Sequence, residues 1–80
     1  MNTTILILSI LKKSKDLGKN SMQIQNIDHV MGRRGERNFI GANLFSKLDE
    51  LIKDKLINKK NNDYSLTIEG LEYLSKYQKE

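Results

Sequence analysis

The apolar residues near the start of the chain fall on two helical stripes rather than one. Ile7, Leu8 and Leu11 share a face, extended by Thr4, and Leu6 and Ile10 form a second stripe at i, i+4. The spacing predicts a helix over residues 3–17, capped by Asn2 or Thr3 and stopped by Gly18. Lys12, Lys13 and Lys15 lie in its last turn, where cations complement the helix dipole. A buried strand over Ile5–Leu11 is the competing reading, since β-branched residues are common there; length and the terminal signals favour the helix.

A second helix is predicted over residues 21–31. Ser21 is its N-cap, Met22, Ile24, Ile27, Val30 and Met31 are its apolar positions, and Gly32 is its stop. Between Gly18 and Ser21 there is room only for a turn or one short strand. Residues 32–38 read as a turn with two Gly, three Arg and no apolar residue. A third helix follows over residues 39–54, where Ile40, Leu44, Leu48, Leu51 and Ile52 make one stripe flanked by Phe45. Ala42, Asn43, Ser46, Lys47, Asp49, Glu50 and Lys53 form its opposite face.

Then the period changes. Ile57, Lys59, Tyr64, Leu66 and Ile68 alternate around Lys60-Asn61-Asn62-Asp63, which predicts two short strands joined by a polar turn. Thr67 caps a last helix from Ile68 to about Tyr77, with Ile68, Leu71 and Leu74 pointing inward and Tyr73 and Tyr77 on a neighbouring stripe. The expected fold is mainly α with a small β-hairpin, in the order helix, helix, helix, strand, strand, helix. A short strand before the second helix would complete a three-stranded sheet. There are no repeats and no linker, and residues 1–80 read as one domain.

Composition narrows the function. Without Cys the chain has no disulfide, thiol nucleophile or Cys-based zinc site, which fits a cytoplasmic setting. The apolar run Ile5 to Leu11 is far below the roughly 20 residues a membrane span needs, and no basic stretch precedes it as in a signal peptide. The net charge is +4, and all of it lies in residues 1–40; the second half carries seven charges of each sign. All three arginines fall between Arg33 and Arg37. Such a basic cluster is one footprint of nucleic-acid binding, and a solvated surface is the other reading.

Two segments carry a family resemblance. Gly41-Ala42-Asn43-Leu44-Phe45-Ser46-Lys47-Leu48-Asp49-Glu50-Leu51-Ile52-Lys53-Asp54-Lys55-Leu56-Ile57 looks like a recognition helix running into a wing strand. Tyr64-Ser65-Leu66-Thr67-Ile68-Glu69-Gly70-Leu71-Glu72-Tyr73-Leu74 is similar to the second wing strand turning into a last helix. In this order they resemble the winged-helix family of small regulators of the MarR and PadR type. One departure is Lys55, where many members have Gly to end the recognition helix in a left-handed conformation. Lys there costs about 1 kcal/mol, unless the helix ends at Asp54 or runs on slightly.

The resemblance implies sequence-specific binding of double-stranded DNA by a transcriptional regulator, with the third helix in the major groove. Asn43, Ser46, Lys47 and Glu50 are then the base readers: Asn suits adenine, Lys guanine, and Glu cytosine. Arg33, Arg34 and Arg37 are the phosphate contacts, beside the N-terminal N–H groups of the third helix. Lys59, Lys60 and Asn61, with Asn62, stand at the wing. Two copies are expected to pair through Leu6 and Ile10 of the first helix and Tyr73 and Tyr77 of the last, because those stripes exceed what one small core needs. No enzyme, metal, cofactor, small-molecule ligand or membrane partner is implied. His29 is the single His, and Gly32-Arg33-Arg34-Gly35 lacks the Gly-Lys-Ser/Thr ending of a phosphate loop. The alternative function is a protein-interaction module or a subunit of a nucleic-acid-processing complex, which the acidic residues of the third helix favour.

Overall fold

The structure, a computed structural model, describes residues 3–33 and 42–77. Among them are four helices and a three-stranded antiparallel sheet: α1 (Thr3–Asp16), β1 (Met22–Gln23), α2 (Ile24–Arg33), α3 (Ala42–Lys53), β2 (Ile57–Lys60), β3 (Asp63–Leu66) and α4 (Ile68–Tyr77). The strand order is β1-β3-β2. No helix of the described residues is long and apolar enough to cross a membrane.

Helix α1 is the centre of the molecule. Leu6, Ile7, Leu8, Ile10 and Leu11 are all buried, and three consecutive buried positions can occur only on a helix covered on several sides. The covers are α2, α4 and β3. Both stripes of α1 are therefore spent on one core. Leu6 and Ile10, expected at a dimer seam, are 2% and 4% exposed within the single chain. The surplus apolar surface that such a seam requires does not exist on α1. Leu44, Leu48 and Leu51 of α3, Ile27 and Met31 of α2, Leu56 after α3, Ile57 of β2, Tyr64 of β3 and Leu74 of α4 complete the core of the described residues.

Two helices end in the same hydrogen-bonded motif. After α1, Gly18 adopts φ 93°, Lys19 N–H donates to Ser14 C=O at 2.9 Å and Gly18 N–H to Lys15 C=O at 3.0 Å. After α3 the left-handed residue is Lys55 itself, at φ 64°, with Leu56 N–H on Leu51 C=O and Lys55 N–H on Ile52 C=O, each at 3.0 Å. These are the paired bonds of a Schellman cap. Leu56 and Leu51 are both buried, which supplies the apolar contact that accompanies the motif and offsets the strain on Lys55.

The second helix departs from its expected start. Met22 and Gln23, predicted to be helical behind a Ser21 cap, instead pair with Tyr64 and Asp63 of β3, so α2 begins at Ile24. Helix α2 also passes through Gly32, the expected stop, to Arg33. The expected hairpin is present, with Ile57 opposite Leu66 and Lys60 opposite Asp63, so Lys60 and Asp63, expected in the turn, belong to its strands. Asn61 begins its two-residue loop at φ 58°, the positive value shared by type I′ and II′ turns.

The joint between hairpin and α4 is closed by Thr67 and Gly70. Thr67 Oγ1 accepts from Gly70 N–H at 2.9 Å, the N-cap bond to the third helical residue, and its single proton is shared between the carbonyls of Lys55 (2.7 Å) and Leu56 (2.8 Å). One hydroxyl thereby ties the end of α3 to the start of α4. Thr67→Ala is expected to cost about 1–2 kcal/mol, read as a lower urea midpoint at unchanged slope. Ile68, expected in the core, is 74% exposed. The inward face of α4 is set by Gly70 and Leu74, and roughly 200° of helical rotation turns Ile68 away from Gly70.

Candidate nucleic-acid interface

Helix α3 and the hairpin that follows it pack together through β2. Burial of Leu44, Leu48 and Leu51 fixes which side of α3 meets solvent. Asn43, Ser46, Asp49, Glu50 and Lys53 stand exposed there, as their spacing predicts. Phe45 joins them, 47% exposed.

Lys47 is placed differently from the sequence expectation. Its ammonium lies 3.4 Å from Glu50 Oε1, and its side chain is only 18% exposed against 61% for Glu50. The two expected base readers of opposite charge are engaged with each other along the helix, not presented separately. The pair is weak, because the carboxylate side faces water, and it leaves α3 without an unpaired cation in its middle turns.

Cations are supplied instead by the hairpin. Lys59, Lys60 and Asn61 are exposed at its tip. Lys59 lies directly across from Tyr64, with its ammonium 5.7 Å from the ring centroid, while the ring itself is buried. The ammonium thus sits over the aromatic face in a cation–π contact at the exposed side of the hairpin. Lys60 faces its cross-strand partner Asp63. Arg33 is the exposed last residue of α2. Arg34 and Arg37 lie outside the described residues, so of the arginine cluster only Arg33 is placed. Tyr73 and Tyr77, the other expected dimer residues, pack on each other with ring centroids 4.5 Å apart, and Tyr77 remains 56% exposed.

Sequence reasoning missed one surface, a groove between α1 and α2 lined by Lys13, Leu17, Lys19, Val30 and Arg33. Its signal is the leucine at position 17, 74% exposed at the helix terminus, next to lysines whose position alone suggests no more than dipole partners. The chain matches no protein-family model, no curated protein and no solved structure.

Proposed function

We propose that the protein is a winged-helix DNA-binding protein, most simply a small transcriptional regulator, which lays α3 in the major groove and touches the flanking backbone with the β2–β3 hairpin. The observation that carries this reading is the polar outer face of α3 packed beside a hairpin whose tip is Lys59, Lys60 and Asn61. The order of helices and strands, with a short β1 closing the sheet against β3, supports it. Phosphate contact falls to the hairpin lysines and Arg33, and base reading to Asn43 and Ser46. Dimerisation rests on Tyr73 and Tyr77 alone, and light scattering at micromolar concentration decides it.

A gel shift with random duplex DNA across a salt series tests the proposal. A shift at low salt that weakens steadily as salt rises is the expected result. The absence of any shift at low salt overturns it. Asn43→Ala is expected to change the preferred sequence, by about 1–3 kcal/mol at one base position. Comparing a selected site with scrambled DNA reads this directly; equal loss on both means that Asn43 serves backbone contact or the fold.

A second reading is a protein-binding winged helix. The Lys47–Glu50 pair, the neighbouring Asp49 and the exposed Phe45 favour it, because together they make the face of α3 less cationic and more apolar than DNA requires.

A further inference from the structure

A groove of about 630 Å³ runs between the C-terminal half of α1, the turn after it, and the outer side of α2. That volume lies in the ordinary range of binding sites. Its apolar surface comes from Ile10, Leu17, Met22 and Val30. Leu17 is 74% exposed, an aliphatic side chain left in water at the lip of a concave surface. Around it stand Lys13, Lys19 and Arg33, with His29 beside them. Among the described residues, no Asp or Glu lines the groove. Asp16 pairs with Lys12, and Asp28, whose Oδ1 is buried with no hydrogen-bond partner among the described residues, lines a neighbouring depression that also includes Arg33. Among the described residues, none of the three rim cations is in an ion pair.

We infer that this groove docks an acidic amphipathic segment of a partner protein. Three cations from three separate stretches of chain exceed what one carboxylate can engage, so the occupant carries several negative charges. A phosphate backbone would meet those charges and leave the apolar floor against polar sugar and phosphate. A segment with Leu or Phe on one face and Glu or Asp beside it satisfies floor and rim together, with the charges steering encounter and the apolar side chains supplying the buried contact. Apolar surface rimmed by polar residues is the usual mark of such a site. The groove takes no described residue from α3 or the hairpin and shares only Arg33 with the proposed phosphate contacts, so Lys13, Leu17, Lys19 and Val30 test it separately from DNA binding.

The test uses the full chain, ¹⁵N-labelled, and a fluorescein-labelled helical peptide with Leu and Phe on one face and Glu on the other. Anisotropy should report saturable binding, and amide shifts should cluster at Leu17, Lys19, Val30 and Arg33. Leu17→Glu should weaken binding by about tenfold or more by opposing the acidic face and removing an apolar contact. The double variant Lys13→Glu/Lys19→Glu should do the same and serves as the second arm if Leu17→Glu lowers the melting temperature. Four results overturn the inference: no binding; equal binding by a peptide with Ser in place of Leu and Phe; duplex DNA moving the amides of Leu17, Lys19 and Val30, the ones not shared with the proposed DNA contacts; or Leu17→Glu dissolving a self-association seen by light scattering, which assigns the groove to a second copy of the chain.

Discussion

Gly70→Ala is expected to lower the unfolding free energy by about 3 kcal/mol, the largest loss expected from a Gly→Ala change among the described glycines. Gly70 sits in the first turn of α4 with its bare α-carbon against the backbone of Leu56. A β-carbon there would overlap the Leu56 carbonyl oxygen and come within 2.8 Å of Leu66 Cδ1. The leucine side chain can turn aside, but the carbonyl cannot. It accepts from Thr67 N–H at 3.2 Å and from the Thr67 hydroxyl at 2.8 Å, while Leu56 N–H is held by Leu51 C=O. Relief therefore requires α4 to move away from the end of α3, which opens the packing between Leu74 and α1 as well. Urea unfolding of the purified variant measures this. A midpoint equal to the parent's would mean that α4 can slide without loss.

That same joint explains which parts of the fold are legible in the sequence. The hairpin and α4 are encoded locally: the alternation from Ile57 to Leu66, the polar loop Asn61-Asn62 and the Thr67 cap are signals within a few residues of one another. Strand β1 is not. Two residues, Met22 and Gln23, are strand only because Tyr64 and Asp63 lie alongside them, far along the chain, and the apolar period of the region reads equally well as helix. Lys55 shows the opposite case: the resemblance marks the position as one that favours Gly, and the lysine takes the left-handed conformation anyway, since the buried contact of Leu56 with Leu51 holds the cap.

The departures at Leu6, Ile10 and Ile68 share a cause. A pattern of apolar positions gives the direction of a face but not the number of elements that pack on it. Helix α1 is covered by α2, α4 and β3, so its second stripe disappears inside the chain, whereas Ile68 belongs to a helix whose inward side is rotated toward Gly70 and Leu74. In the candidate site, the exposure of Asn43, Ser46 and the hairpin lysines follows from the amphipathic pattern of α3 and from the hairpin turn. The engagement of Lys47 with Glu50 does not, because a long side chain on a helix surface chooses among partners at comparable reach, and spacing alone does not choose for it.

That pairing shapes the second large prediction. If α3 brings little net positive charge to DNA, phosphate neutralisation depends on side chains outside it, and the hairpin tip is the best placed of those described. Replacing Lys59 and Lys60 together with Gln should weaken binding to every duplex alike, selected or scrambled. It should also flatten the slope of log K against log salt by about 1.8, since each phosphate that is no longer neutralised keeps roughly 0.9 of a counterion. Gln is the right replacement because it keeps most of the aliphatic stem. Lys59 reaches over the buried ring of Tyr64, and Ala, by removing the whole side chain, would risk uncovering that ring and mixing a folding defect into the binding loss. Unchanged thermal unfolding of the double variant checks the point. The contrast with Asn43→Ala is what makes the experiment informative: removing a backbone contact costs all sequences equally and moves the salt slope, whereas removing a base contact costs one sequence and leaves the slope in place. A double variant that binds with the parent's slope would remove the hairpin from the interface. A parent whose slope is already close to zero would remove DNA from it, and would turn the paired Lys47 and Glu50 and the exposed Phe45 into the surface for a protein partner.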